Sequence, residues 1–231
     1  MECICDQCAA GDSGGTGACL KDLWIFDHFT ESQLQELQTI GLRREIPKGQ
    51  LVFSQGGVAD ELFLVRSGRI KLSKVNEDGA EVTLDFRKDG DVLGEDLFSG
   101  VETYPVSAWA IEETITCGFN LGSFQSLIRQ NPEIGLNVIK SMSNKMSSMS
   151  SRIESIAEVS LADRLYSVLA SISKEHGLRI GNTYKLPIKL THEELAFLVG
   201  AHRVSITKAM QALVAKGKIS CKDKIITLNN I

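Results

Sequence analysis

No run in the 231-residue chain approaches the ~18 consecutive apolar residues of a membrane span. The amino terminus lacks a basic stretch followed by an apolar one, so no secretory signal is expected and the protein is placed in the cytoplasm. Cysteine is scarce. Six residues are too few to staple a chain of this length, and in a reducing compartment clustered cysteines more often bind metal or sense redox state. An excess of positive charge is also missing, since the net charge is -4. That balance hides a local exception: 201–224 holds six Lys or Arg against one Asp, which makes it +5 and leaves -9 elsewhere. A basic island on an acidic body points to a local polyanion site, because phosphate responds to the charge of the contacting face.

Apolar residues at 43% and charged residues at 23% describe an ordinary globular chain, long enough for two domains. From Leu42 to about Phe119 the apolar positions alternate, as in Leu51/Phe53, Leu62/Leu64, Ile70/Leu72 and Val82/Leu84/Phe86. Pro47-Lys48-Gly49, Gly56-Gly57, Ser67-Gly68, Glu77-Asp78-Gly79 and Lys88-Asp89-Gly90 punctuate this text at the rhythm of an all-β sandwich or barrel. After Asn131-Pro132 the alternation stops. Ile139, Met142, Met146, Met149, Ile153 and Ile156 follow at steps of 3, 4, 3, 4 and 3, a heptad seam with Ser, Asn and Lys around it. So narrow a stripe predicts a dimerisation helix, with methionines packing adaptably in the seam.

A second helical pattern runs from Leu161 to near Gly177. Thr191-His192-Glu193-Glu194 has the form of a capping box and opens a short helix carrying Leu195, Ala196 and Leu198. Gly200 turns the chain into a helix from about His202 to Lys216, with Ile206, Met210, Leu213 and Val214 expected inside and Arg203, Ser205, Thr207 and Lys208 on other faces. Two helices across a Gly-containing turn, the second basic at its start, is the helix-turn-helix pattern. Ile219 and Ile225-Ile226-Thr227-Leu228, around Lys222-Asp223-Lys224, read as two strands of a wing, in which Cys221 is a small wing residue.

This order resembles the CRP/FNR family of bacterial transcription regulators along essentially the whole chain. Leu93-Gly94-Glu95, Ser107-Ala108-Trp109 and Val199-Gly200-Ala201-His202-Arg203 carry the resemblance locally. It implies an α+β protein: a cysteine-rich arm at 1–22, a cupin-like β-roll at 23–130, a dimerisation helix at 131–158 and a winged helix-turn-helix at 159–231. It also implies a homodimer that reads near-palindromic double-stranded DNA, with RNA polymerase as a partner. His202, Arg203, Val204, Ser205, Thr207 and Lys208 are the expected DNA-contacting residues. Arg203 suits a bidentate contact to guanine, whereas Val204 stands where the family usually has Glu, which shifts the expected base pair toward A·T.

Two sensing styles compete within the family. The cyclic-nucleotide style places an Arg before the Ser-Ala pair, and here that position is Val106, so cyclic AMP is not expected. The FNR-like style uses three amino-terminal cysteines and one in a late roll strand. By that resemblance Cys5, Cys8, Cys19 and Cys117 hold a [4Fe–4S] cluster, with Cys3 as an extra residue. The ten residues between Cys8 and Cys19 exceed the usual spacing. Structural zinc, a thiol–disulfide switch, or a different small effector in the roll stay open as alternatives. FNR-like members also carry a carboxylate in the dimer seam that holds the apo protein apart, where this chain has Met149.

Rolls of this shape resemble cupin enzymes too, but those depend on clustered histidines. The four histidines fall at His28, before the strand-like text that begins at Leu42, and at His176, His192 and His202, after it, so none lies among the roll strands. With no nucleophile–base pairing either, no enzyme activity is expected.

Overall fold

The glycines of the turn signals sit where the chain reverses. The computed structural model describes residues 40–229 apart from 157, 159 and 223, together with Leu23, Thr30 and Leu37. Cys3, Cys5, Cys8 and Cys19 lie outside the described residues, as does the side chain of Ile156. The chain divides into two compact units, 1–142 and 143–231.

In the first unit, β1 (Leu42–Ile46), β2 (Leu51–Phe53), β3 (Glu61–Ser67), β4 (Ile70–Val75), β5 (Glu81–Arg87), β6 (Val92–Leu93), β7 (Ser107–Ala110) and β8 (Thr114–Asn120) make two four-stranded sheets. Their orders are β1-β8-β3-β6 and β2-β7-β4-β5, and every pairing is antiparallel. Phe53, Phe63, Val65, Ile70, Leu72, Leu93, Ala108 and Phe119 bring both sheets into one apolar core. Strand β3 is buried on both faces from Leu62 to Arg66, which its unbroken apolar run requires. Gly68 has φ 99°, and a Cβ there would lie 2.6 Å from the Glu113 carbonyl oxygen, so no side chain fits that reversal.

Strand β5 corrects the alternation read from its sequence. Leu84 is 42% exposed, although Phe86 on the same face is buried as expected, and the opposite face buries Thr83, Asp85 and Arg87. The reason is electrostatic: Arg87 is buried with its guanidinium bonded to Asp85 and to Glu95 Oε1, the latter at 2.6 Å. A charge so placed needs paired partners, and the pairing lets the strand turn polar residues inward.

Asn120 ends β8 and caps α1 (Leu121–Gln130), its Oδ1 accepting from the Gly122 N–H at 2.9 Å. The sequence pattern did not announce α1, because the helix follows the strand with no turn signal between them. Phe124 and Leu127 seat it on the core. Next, α2 (Pro132–Ile156) carries the predicted seam, and Ile134 and Val138 of its first turns are buried.

The second unit packs α3 (Leu161–His176), β9 (Leu178–Ile180), β10 (Thr183–Leu186), α4 (His192–Val199), α5 (Arg203–Ala215), β11 (Ile219–Lys222) and β12 (Ile225–Asn229). Its antiparallel sheet runs β11-β12-β10-β9. The hairpin β9–β10 was not read from the sequence: β9 has only three residues, and Leu178 and Ile180 on its one apolar face are both exposed. On α5, Ile206, Ala209, Met210 and Leu213 are buried, whereas Val214, expected inside, is exposed. From Ile206 the 3.6-residue period returns at Leu213 and carries Val214 about 80° further round.

Candidate nucleic-acid interface and cysteine site

The predicted capping box forms. Thr191 Oγ1 accepts from the Glu194 N–H at 3.1 Å, and Glu194 Oε2 accepts from the Thr191 N–H at 2.8 Å, satisfying two donors at the start of α4. Gly200, with φ 63°, closes α4 through bonds from its N–H to Ala196 and Phe197 carbonyls. The chain can then re-enter a helix at once, with His202 as the residue preceding α5.

Burial of Ile206, Ala209, Met210 and Leu213 fixes the rotation of α5 and decides which residues face out. His202, Arg203, Thr207 and Lys208 are exposed, Val204 is 71% exposed and Ser205 is half-buried. The six residues expected to meet DNA therefore cluster over the first turns of one helix. In the wing, Lys222 and Lys224 are exposed, and Lys224 takes the left-handed conformation at φ 64° in the β11–β12 turn. Exposed Cys221 lies on β11. Lys218 is committed internally: its Nζ lies 3.3 Å from Asp163 Oδ1 and 4.8 Å from the centre of the Tyr166 ring. Its hydrogen bond, and then its charge, hold the Asp163 carboxyl below the ordinary carboxylate range.

Sequence reasoning assigned no site role to His192, the first residue of α4. Its Nδ1 lies 3.0 Å from Thr207 Oγ1 on α5, a pairing across a separation of 15 residues that no local signal encodes.

Along α2 the seam residues Ile139, Met142, Met146, Met149 and Ile153 are all exposed, as is Leu136 one step earlier. Neighbouring positions face elsewhere: Lys145 pairs with Glu175 of α3, and Ser148 Oγ donates to the same carboxylate at 3.3 Å. The methionine stripe is therefore left without an apolar cover among the described residues.

Cys117 lies on β8, opposite Arg43 of β1 and Leu64 of β3. It is buried in the same core cluster as Leu23, Leu37 and Phe119. Strand alternation puts Cys117 and Phe119 on one face. A Cβ at Gly41 would lie 2.7 Å from the Phe119 ring, so the chain entering β1 passes directly over that face. In the turn after β6, Gly94 has φ 77° and Glu95 is bonded to Arg87. Val106 packs against the core, and Ser107 Oγ accepts from the Gln55 N–H at 2.9 Å. The residues of the Gly-Glu and Ser-Ala phrases thus have partners within the roll.

Two family models match the chain: a cyclic nucleotide-binding domain over residues 43–131 and a Crp-like helix-turn-helix domain over residues 163–231. An anaerobic regulatory protein of Bacillus subtilis is 30% identical over 191 residues, covering 82% of this chain and 80% of that protein. A CRP-like cAMP-activated global transcriptional regulator of Mycobacterium tuberculosis is 24% identical over 186 residues, 80% of this chain and 83% of that one. Among solved structures, a c-di-GMP-responsive global regulator of Xanthomonas campestris has a similar fold, with a TM-score of 0.72 at 22% identity, covering 87% of this chain and all of that one.

Proposed function

Because the chain belongs to the CRP/FNR family of transcription regulators, we propose that it binds near-palindromic DNA as a homodimer and senses oxygen or redox state through a [4Fe–4S] cluster on Cys5, Cys8, Cys19 and Cys117. Its relatives are regulators, not enzymes. No helix among the described residues is long and apolar enough to cross a membrane. RNA polymerase as a partner is part of the same proposal and rests on the family resemblance.

The observation that carries the sensing proposal is the place of Cys117. It is a thiol sealed on the β8 face over which the incoming chain passes, in one cluster with Leu23. Cys19 stands four residues before Leu23, within about 14 Å of extended chain. A ligand set of one roll thiolate and three arm thiolates fits this layout, and the four-thiolate donor set suits an iron–sulfur cluster. When bound, such a group supplies an oxygen-labile link between arm and roll. The B. subtilis relative's name, an anaerobic regulatory protein, supports the same reading.

Protein purified without air should be brown and should bleach on exposure to oxygen. Cys117→Ala keeps an apolar core residue and should fold, yet lose the bound iron, as should Cys5→Ser, while Cys3→Ser retains it. A colourless anaerobic protein carrying zinc overturns the cluster in favour of a structural metal site. Loss of iron from Cys3→Ser together with its retention in Cys5→Ser overturns the ligand set.

For DNA reading, Arg203 is assigned a guanine and exposed Val204 an apolar contact such as a thymine methyl. Selection from a random duplex library should give a half-site in which Val204→Glu replaces one A·T pair by G·C, a change worth roughly 1–3 kcal/mol of discrimination. Identical half-sites from both proteins would remove Val204 from the reading set.

A further inference from the structure

We propose that His192 is a positioning residue for DNA binding: through Nδ1 it orients the Thr207 hydroxyl so that Thr207 donates to a backbone phosphate. The inference rests on the DNA-binding reading and adds a role that the helix pattern does not supply.

Thr207 stands one helical turn after Arg203, on the same side of α5, and both are exposed. The 3.0 Å contact from Thr207 Oγ1 to His192 Nδ1 shows that this side faces the first turn of α4. In helix-turn-helix docking the second helix meets base edges while the first crosses the phosphate backbone. A hydroxyl on the flank of α5 that faces α4 is therefore turned toward backbone, whereas Val204 and Lys208 occupy the next row round the helix.

The hydrogen between Thr207 and His192 has two arrangements. If Nδ1 is bare, the hydroxyl donates to it and offers only lone pairs outward. If Nδ1 carries the hydrogen, the ring donates to Oγ1 and the hydroxyl hydrogen is released outward. Phosphate oxygens only accept. Contact with DNA is thus compatible with the second arrangement alone, and duplex binding selects the His192 state with a hydrogen on Nδ1. His192 is itself half-buried, and the neighbouring Glu194 is held by Thr191 in the capping box, which leaves the ring to serve Thr207.

The test uses the full chain and a duplex selected from a random library. Thr207→Val should weaken binding roughly tenfold, the scale of a hydrogen bond to a charged group, and equally across half-site sequences. His192→Gln places its amide where Nε2 was and should lose a similar factor. His192→Asn places an N–H where Nδ1 was and should recover binding to within about threefold of the parent. In a Thr207→Val background, His192→Gln should add no further loss, the non-additivity of a shared contact. Nitrogen-15 spectra of the histidine rings, with His192 assigned from the His192→Asn protein, should show Nδ1 protonated on addition of duplex. An equal loss from His192→Gln in both backgrounds, or a ring whose Nδ1 stays bare on the duplex, overturns the relay. Failure of the parent protein to bind any duplex would overturn the DNA-binding reading itself, and is seen before any variant is made.

Discussion

Replacing Arg87 by Met is expected to lower the stability of the first unit by roughly 3–5 kcal/mol, the cost of breaking a buried ion pair from one side. The Arg87 side chain is 5% exposed. Burial opposes its charge, but Glu95, Asp85 and Asp91 together outweigh that penalty and hold the guanidinium above its ordinary pKa. Methionine fills much of the same volume while withdrawing the positive charge that these carboxylates face. Changing both partners should cost less: Arg87→Met with Asp85→Asn is expected to recover part of the loss, because a buried carboxylate is removed along with its counter-charge. Glu45→Gln provides the contrast. Arg43 and Glu45 are 2.6 Å apart, but Glu45 is 68% exposed, so the change should stay below about 1 kcal/mol. Trp109 lies on β7 in the first unit and 143–231 contains no tryptophan, so urea unfolding followed by intrinsic fluorescence reads this comparison. A loss below about 1 kcal/mol for Arg87→Met would mean that the network is not a structural element of the roll.

Met149→Asp is expected to weaken self-association by about 100-fold, corresponding to roughly 3 kcal/mol. Leu136, Ile139, Met142, Met146, Met149 and Ile153 form one exposed stripe on α2, and a two-fold pairing of such helices sets each residue near its own copy. An aspartate at 149 would bring two carboxylates together in a seam that excludes water, adding like-charge repulsion to desolvation. The unmodified chain carries no such penalty, so it should dimerise even without the proposed cluster, and the proposed sensing should then act by reorienting the DNA-reading elements rather than by assembling them. Sedimentation of apo protein at micromolar concentration checks both statements. A monomeric apo protein would assign assembly to the sensing event.

The elements legible in the sequence were those whose signal is local. The capping box at Thr191 to Glu194, the turn at Gly200, the seam on α2 and the β-turn glycines each follow from backbone geometry or periodicity within a few residues. Where the readings failed, burial or pairing did not follow the local apolar pattern. Leu84 is exposed although Phe86 on the same face is buried, and the opposite face carries Asp85 and Arg87, the latter bonded to Glu95 eight residues on. Hairpin β9–β10 stayed hidden because β9, at three residues, is too short to carry a readable alternation.

For the candidate sites the division is the same. Residue types and spacing placed a basic helix after a glycine turn, since side-chain chemistry is written in composition, whereas Cys117 and the three arm cysteines were joined as a thiolate set only by the family resemblance. Only the tertiary structure decided that α5 turns Val204 outward while Val214 also leaves the core, that Thr207 meets His192, and that Cys117 is sealed on the face where the incoming chain crosses Phe119. Those outcomes depend on which helix faces and strands pack together. That choice is made by burial summed over residues far apart in the chain, so no single segment carries it.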